Sequence, residues 1–286
     1  MKNERKVVLV TGVSSGIGRE AAQLLGERGF RVIGSARNPH RVEPISGVEL
    51  VQLDVTDDAS AMEAVESVAR ETGRLDALIN NAGYALVGAL EETSLREAHE
   101  QFETNFFGVL RMVNAVLPIM RRQAGGRIVN VSSVVGVIPE PYMGVYVASK
   151  HALEGYTETL GHEVRQFGIR VSLIEPGFTK TSLGTNGRRT DAVLDEYGGQ
   201  REKALAFIER QIRNGAKPRP VAEAIYNALT ASSPRLRYRV GRQVNLVIAL
   251  KWLLPEAVFY QVVRRVFQIR EIGQPATHLP AIAGDH

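Results

Sequence analysis

The chain has 286 residues, with 35 lysines and arginines against 31 aspartates and glutamates, a formal net charge of +4, and no cysteine. A hydrophobic share of 44% beside 23% charged residues is globular and excludes wholesale disorder. The lack of cysteine excludes disulfides, thiol nucleophiles and Cys-ligated metals. The six histidines show no metal-ligand spacing, and the mild, scattered positive charge does not point to nucleic acid. No apolar signal region precedes the first strand, and no uncharged apolar run reaches the roughly 18 residues of a membrane span. The expectation is a cytoplasmic protein without a metal.

Seven short apolar runs follow one another at 7–11, 31–37, 48–55, 77–80, 127–133, 170–176 and 237–241. Several are almost continuously apolar, as strands buried on both faces of a parallel sheet must be. Segments of helical periodicity lie between them, among them REAAQLLGERG, AMEAVESVARETG and KHALEGYTETLGHEVRQFG. The alternation predicts an α/β fold: a single doubly wound, Rossmann-type domain over 1–286 with a seven-stranded, mostly parallel sheet. The polar, Gly-rich stretch at 182–219 reads as a helical insertion, a substrate lid. Residues 242–270 read as a helical C-terminal extension.

The first strand runs into TGVSSGIG, from Thr11 to Gly18, which opens a helix. The N–H groups and partial positive charge at a helix N-terminus suit a diphosphate. Glycines permit a tight turn and close approach of the ligand. Gly12, Ser14, Ser15, Gly16, Ile17 and Gly18 are therefore candidate dinucleotide contacts. The second strand ends in Ser35-Ala36-Arg37, with no carboxylate to take a ribose 2′-hydroxyl. Arg37, with Ser15, is suited to a 2′-phosphate, which favours NADP(H) over NAD(H). Asp54, followed by Val55, closes the third run; its carboxylate suits either the adenine amino group or the turn before the next helix.

Tyr146 and Lys150 stand four residues apart, on one face of a predicted helix. An ammonium beside a phenol favours the phenolate, so the pair is a plausible acid/base device. It follows the fifth strand, which ends in Ser132-Ser133, while the fourth ends in Asn80-Asn81-Ala82-Gly83. In an open α/β sheet, ligands bind beyond the carboxyl ends of the strands. These polar groups therefore converge with the glycine loop.

Taken in order, TGVSSGIG, LDV at Asp54, NNAG, Asn105 in ETNFFG, Ser133, YVASK and PGFTKT resemble the short-chain dehydrogenase/reductase family over about 7–181. The resemblance implies an enzyme acting on CH–OH groups, with Tyr146 as general acid or base and Lys150 lowering its pKa and binding the nicotinamide ribose. It implies that Ser133, about thirteen residues before the tyrosine, polarises the substrate oxygen in preference to Ser132. Asn105 would kink its helix and hold a water relaying protons to Lys150. Asn81, Ala82 and Gly83 would line the adenosine side. Pro176, Gly177, Thr179 and Thr181 would cover the nicotinamide, a backbone N–H and the Thr181 hydroxyl lying near its carboxamide. SLIEPGFTKT, LRYRVG and the long tail are most similar to the branch of 17β-hydroxysteroid dehydrogenase type 1 and the retinol dehydrogenases.

Val134, Tyr142, Met143, Phe178, Leu183 and Tyr197 are candidate pocket walls, and such a lining suits a lipophilic ketone or aldehyde, steroid- or retinoid-like. A 3-oxoacyl thioester reductase is the rival within the enzyme class; a non-catalytic NADP(H)-sensing protein is the rival outside it. The helical segments 95–120 and 151–167 are expected to pair copies into a dimer or tetramer. The tail at 244–267 reads first as packing against the body, with a membrane contact as the alternative.

Overall fold

In a computed structural model describing residues 5–180, 187–241 and 243–269, the seven apolar runs form one sheet. The first half of the chain supplies β1 (Val7–Thr11), α1 (Gly16–Glu27), β2 (Arg31–Ala36), β3 (Val48–Gln52), α2 (Asp58–Thr72), β4 (Ala77–Asn80), β5 (Leu86–Val87), α3 (Leu95–Phe102), α4 (Gly108–Arg122) and β6 (Gly126–Val131). The second supplies α5 (Gly144–Glu163), β7 (Ile169–Pro176), β8 (Arg188–Arg189), α6 (Gly198–Arg213), α7 (Arg219–Thr230), β9 (Arg237–Val240), α8 (Val244–Leu253) and α9 (Glu256–Val266). The sheet order is β3-β2-β1-β4-β6-β7-β9, and every pairing is parallel rather than most of them.

Side chains of successive strand residues go to opposite faces. Val7, Leu9, Leu78 and Ile128 pack with α2, α4 and α5, through Val65, Met112 and Leu153. Val8, Val10, Ile79 and Val129 pack with α1 and α7, through Leu24, Leu25, Val221 and Ile225. Both faces are thus covered, which is why the central strands read as unbroken apolar runs. Strand order reverses between β1 and β4, and the crevice beyond that switch point is where α/β sheets bind ligands. β5 and β8 form a separate two-stranded parallel ladder.

A third apolar cluster gathers Ala85, Val134, Val135, Met143 and Tyr146 with Ala204 and Ile208 of α6 and Val244 and Ile248 of α8. Insertion and tail therefore both pack onto the body beside Tyr146. Lys251 of α8 donates to the Val137 carbonyl, so its ammonium is turned to the protein rather than outward. Among the described residues no helix is long and apolar enough to cross a membrane.

One buried pair ties the insertion down. The Glu92 carboxylate, its side chain 0% exposed, accepts from the N–H groups of Ala89 and Leu194, each at 2.9 Å, and from Arg201. Burial pushes its pKa up, but these donors outweigh burial and hold it below the ordinary value. Arg201→Ala leaves the carboxylate buried without its cation and is expected to destabilise the fold by about 3 kcal/mol, read from the denaturation midpoint. Because the folded pKa is lowered, the Glu92 contribution is present above about pH 4.5 and is lost as pH falls through the folded value.

Candidate active site

At the carboxyl edge of the sheet, the ends of β1 and β4 are tied together. The Thr11 hydroxyl accepts from the N–H groups of Asn81 and Ala82, at 2.9 and 3.0 Å. The Asn81 amide donates back to the carbonyls of Thr11 and Gly12, at 2.9 and 3.0 Å. Gly12 adopts φ +73°, and a Cβ there would lie 2.9 Å from the Ala82 Cα. A Cβ on Gly18 would lie 2.3 Å from both the Asn81 Nδ2 and the Gly12 oxygen. The loop therefore presents bare backbone and the N-terminus of α1. A hollow of about 330 Å³ opens beside it, lined by Ser15, Gly16, Arg19, Glu20, Lys180 and Pro218 among others. Another, of about 240 Å³, lies at the opposite edge beside Lys6, Asp76 and Arg127 and holds none of the predicted site residues.

Ser14 is exposed, and Ile17 is half-buried against the α1–α7 core. Arg37 stands exposed just beyond β2, with no hydrogen bond or ion pair among the described residues. Asp54 does not close a strand: β3 ends at Gln52, and one carboxylate oxygen accepts from the Thr56 N–H and hydroxyl at 3.0 and 2.7 Å. That oxygen holds the turn before α2, whose N-cap is Asp57. Val55 is buried against Gly108.

Between α3 and α4 the helix widens into a π-turn at Glu103–Phe107, a local irregularity common at functional sites. Asn105, inside it, is buried. Its Oδ1 accepts from the Tyr84 N–H at 3.1 Å, and its Nδ2 donates to the Tyr84 carbonyl at 2.9 Å and the Ser149 hydroxyl at 3.3 Å. Asn105 thus links the loop carrying Gly83 to α5. A Cβ on Gly83 would lie 3.0 Å from its Oδ1.

Tyr146 and Lys150 are both buried in the first two turns of α5. Nζ of Lys150 lies 5.9 Å from the centre of the Tyr146 ring and donates to the Val131 carbonyl at 2.8 Å. The two serines separate clearly. Ser133 stands beside Tyr146, while Ser132 is buried against Glu154. Burial pushes the Tyr146 phenol well above the ordinary range; Ser133 works against that shift, and Glu140 adds to it. The lowering expected from Lys150 is therefore not achieved by the chain's own charges. Lys150 is itself lowered by burial to about 8, with Glu154 pulling the other way.

Gly177 and Thr179 are both engaged within the chain. The Gly177 N–H donates to the Val240 carbonyl at 2.9 Å, and the Thr179 hydroxyl donates to the Gly177 carbonyl at 3.0 Å. Pro176 is buried at the end of β7. Thr181 and Leu183 lie outside the described residues. Val134, Met143 and the half-buried Tyr142 join Tyr146 in the third cluster. Tyr142 has φ +64°, and its carbonyl accepts from the Gly88 N–H at 2.8 Å. Phe178 is half-exposed, its ring edge-on to Phe207. Tyr197 is outside that cluster, its hydroxyl donating to Glu91 at 2.8 Å. Among the described residues no group of His, Asp and Glu is arranged to hold a metal ion.

Glu140 carried no sequence signal. Set between Pro139 and Pro141, it reads as loop surface. It is instead 7% exposed, and burial raises its pKa to about 7.

Residues 6–192 match the family model described as short chain dehydrogenase. The chain is 40% identical over 268 residues to a 3-ketodihydrosphingosine reductase of Bacteroides thetaiotaomicron, covering 93% of this chain and 99% of that one. It is 35% identical to retinol dehydrogenase 8 of Bos taurus, covering 91% and 89%. The crystal structure of a short-chain dehydrogenase from Streptomyces avermitilis superposes with a TM-score of 0.79 at 35% identity, covering 92% and 98%.

Gly18→Ala places a methyl group on the Asn81 amide and is expected to cost about 2 kcal/mol in a denaturant titration. Gly155→Ala, in α5 with nothing within 4 Å of the new Cβ, is the control and is expected to be neutral or stabilising by up to about 1 kcal/mol.

Proposed function

The chain belongs to the short-chain dehydrogenase family and is an oxidoreductase acting on CH–OH groups, and from that premise we propose that it interconverts a lipophilic ketone or aldehyde and its alcohol using NADP(H). The observation that carries this reading is the burial of Tyr146 between Ser133 and Lys150, under an apolar shell and at the same carboxyl edge of the sheet as the glycine loop. The loop fits a dinucleotide, since its backbone is bare where a Cβ would clash and the α1 N-terminus adjoins it. When bound, the cofactor supplies or accepts the hydride.

The chain's own residues place the substrate and manage its proton. Ser133 donates to the carbonyl oxygen and orients it towards Tyr146. In reduction the Tyr146 hydroxyl gives its proton to that oxygen; in oxidation the phenolate takes it back. Lys150, with a pKa of about 8, is largely ammonium at neutral pH, and beneath the ring it offsets the developing phenolate charge. Asn105 holds Tyr84 and Ser149 in place, and its role in the proposed reaction is to hold a water that feeds protons towards Lys150. Asn81 fixes the glycine loop, with Ala82 and Gly83 along the adenosine side. Arg37, exposed and without a partner among the described residues, suits the 2′-phosphate that distinguishes NADP(H).

The lipophilic class rests on Val134, Met143 and Tyr142 around Tyr146, with α6 of the insertion acting as the lid. The similarity to a 3-ketodihydrosphingosine reductase and to retinol dehydrogenase 8 supports the same class. A half-exposed aromatic stripe, Phe106, Phe107 and Tyr156, links the π-turn to α5 and suits pairing with a second copy.

Tyr146→Phe is expected to lower kcat at least 100-fold, followed at 340 nm with a medium-chain ketone and NADPH, while NADPH binding persists. Binding lost together with turnover would move Tyr146 from proton donor to structural support. Arg37→Ala is expected to weaken NADPH about 10- to 100-fold and to leave NADH nearly unchanged in a fluorescence titration. Equal affinity of the natural chain for both cofactors would overturn the preference.

A further inference from the structure

The two helices beyond β9 carry an apolar surface that the fold does not use. α8 packs onto the body through Val244 and Ile248, which join the cluster around Tyr146, and Lys251 on the same face donates to the Val137 carbonyl. Helix geometry puts Leu246, Leu250 and Leu253 on the opposite face. A helix packed on one side normally turns polar residues outward, yet Leu246 is 60% exposed and Leu253 81%. Trp252, the only tryptophan of the chain, is 76% exposed next to Leu253. α9 repeats the arrangement. Phe259 and Phe267 are buried and Val263 packs against the same cluster, while Val258, Val262 and Val266 form an exposed stripe.

The charges around this surface indicate what covers it. Arg265 stands seven residues after Val258 and three after Val262, so it borders the exposed stripe, with the exposed Arg264 beside it. Glu256 is the only acidic residue between 243 and 269. A second copy would meet this surface with the same excess of positive charge. An anionic bilayer meets it with the opposite charge in its headgroups and with hydrocarbon beneath them. The indole of Trp252 is apolar in body and polar at its N–H, which suits the boundary between the two. Among the described residues no helix is long and apolar enough to cross a membrane, so the contact lies along the surface.

We infer that α8 and α9 form a docking surface for an anionic lipid bilayer, with Trp252 and Leu253 inserted among the acyl chains and the α9 arginines drawn to the headgroups. The docking goes beyond the reaction proposed above and does not depend on it. It brings the bilayer against the outer side of α8, whose inner side lines the cluster around Tyr146.

The test uses the full chain with two kinds of vesicle, phosphatidylcholine alone and equal parts of phosphatidylcholine and phosphatidylglycerol. The natural chain is expected to float with the mixed vesicles and to bind them at least tenfold more tightly than phosphatidylcholine alone. Its emission, which reports Trp252 alone among tryptophans, is expected to shift to shorter wavelength on binding and to be quenched by brominated acyl chains. Leu253→Asp is expected to weaken binding at least tenfold while melting within about 2 °C of the natural chain, since that side chain is exposed. Arg264→Glu/Arg265→Glu is expected to weaken binding to the mixed vesicles at least tenfold and to leave the weak binding to phosphatidylcholine unchanged. Equal binding to both kinds of vesicle overturns the anionic assignment, and equal binding by Leu253→Asp and the natural chain overturns the docking surface. An emission that changes with protein concentration in the absence of lipid, and does not respond to vesicles, assigns the surface to a second copy. An emission already at short wavelength in the dilute chain, and unmoved by vesicles, assigns it to the chain's own residues beyond 269. Either result overturns the inference and leaves the oxidoreductase reading in place.

Discussion

Parallel pairing of seven strands dictates where chemistry can occur in this chain. Because every strand runs the same way, every carboxyl end falls on one edge, and each crossover must return along a face of the sheet. The helices that make those crossovers bury both faces, so neither face is left to bind a ligand. The open backbone at the carboxyl edge is what remains. There the order reverses between β1 and β4, and the chain spends its polar side chains on tying those two ends together through Thr11 and Asn81. The glycine loop, the Asn105 bridge and the Tyr146–Lys150 pair all hang from that edge.

The parts of the fold that follow from burial were legible in the sequence. Strands enclosed on both faces must be largely apolar, and VVLVT, ALIN and RIVNV are, with the buried Asn80 and Asn130 amides bonded to each other. The glycine loop was legible from its place after the first strand, and the Tyr146–Lys150 spacing from helix geometry. Other features leave no pattern. β5 and β8 have two residues each, too short for any periodicity, and β8 is a pair of arginines. The π-turn at Asn105 depends on a single extra residue in a helix whose amphipathic pattern runs on through it. The Thr56 hydrogen bonds took an oxygen of Asp54 for the turn because short polar side chains readily bond their own nearby backbone. Glu140 gives no signal, because two flanking prolines mark a loop and loops usually lie at the surface. Its burial comes from tertiary packing alone.

The electrostatics of the pair show how burial and charge compete. Spacing alone suggests that an ammonium lowers the pKa of the neighbouring phenol. Once both groups leave water, the cost of desolvating each charge outweighs their mutual help, so the phenol rises and the ammonium falls. The two shifts drive the groups apart, Lys150 falling to about 8 while Tyr146 rises well above the ordinary range. For Tyr146 the chain by itself makes ionisation harder.

That difficulty gives the apolar shell its meaning. A cluster built from the β6–α5 loop, α6 and α8 excludes water from the hydroxyl of Tyr146, which raises the cost of any charge formed there and equally strengthens any compensating charge brought in. A charge placed beside that hydroxyl is therefore little screened, so proton transfer at Tyr146 depends on the charges its immediate neighbours present.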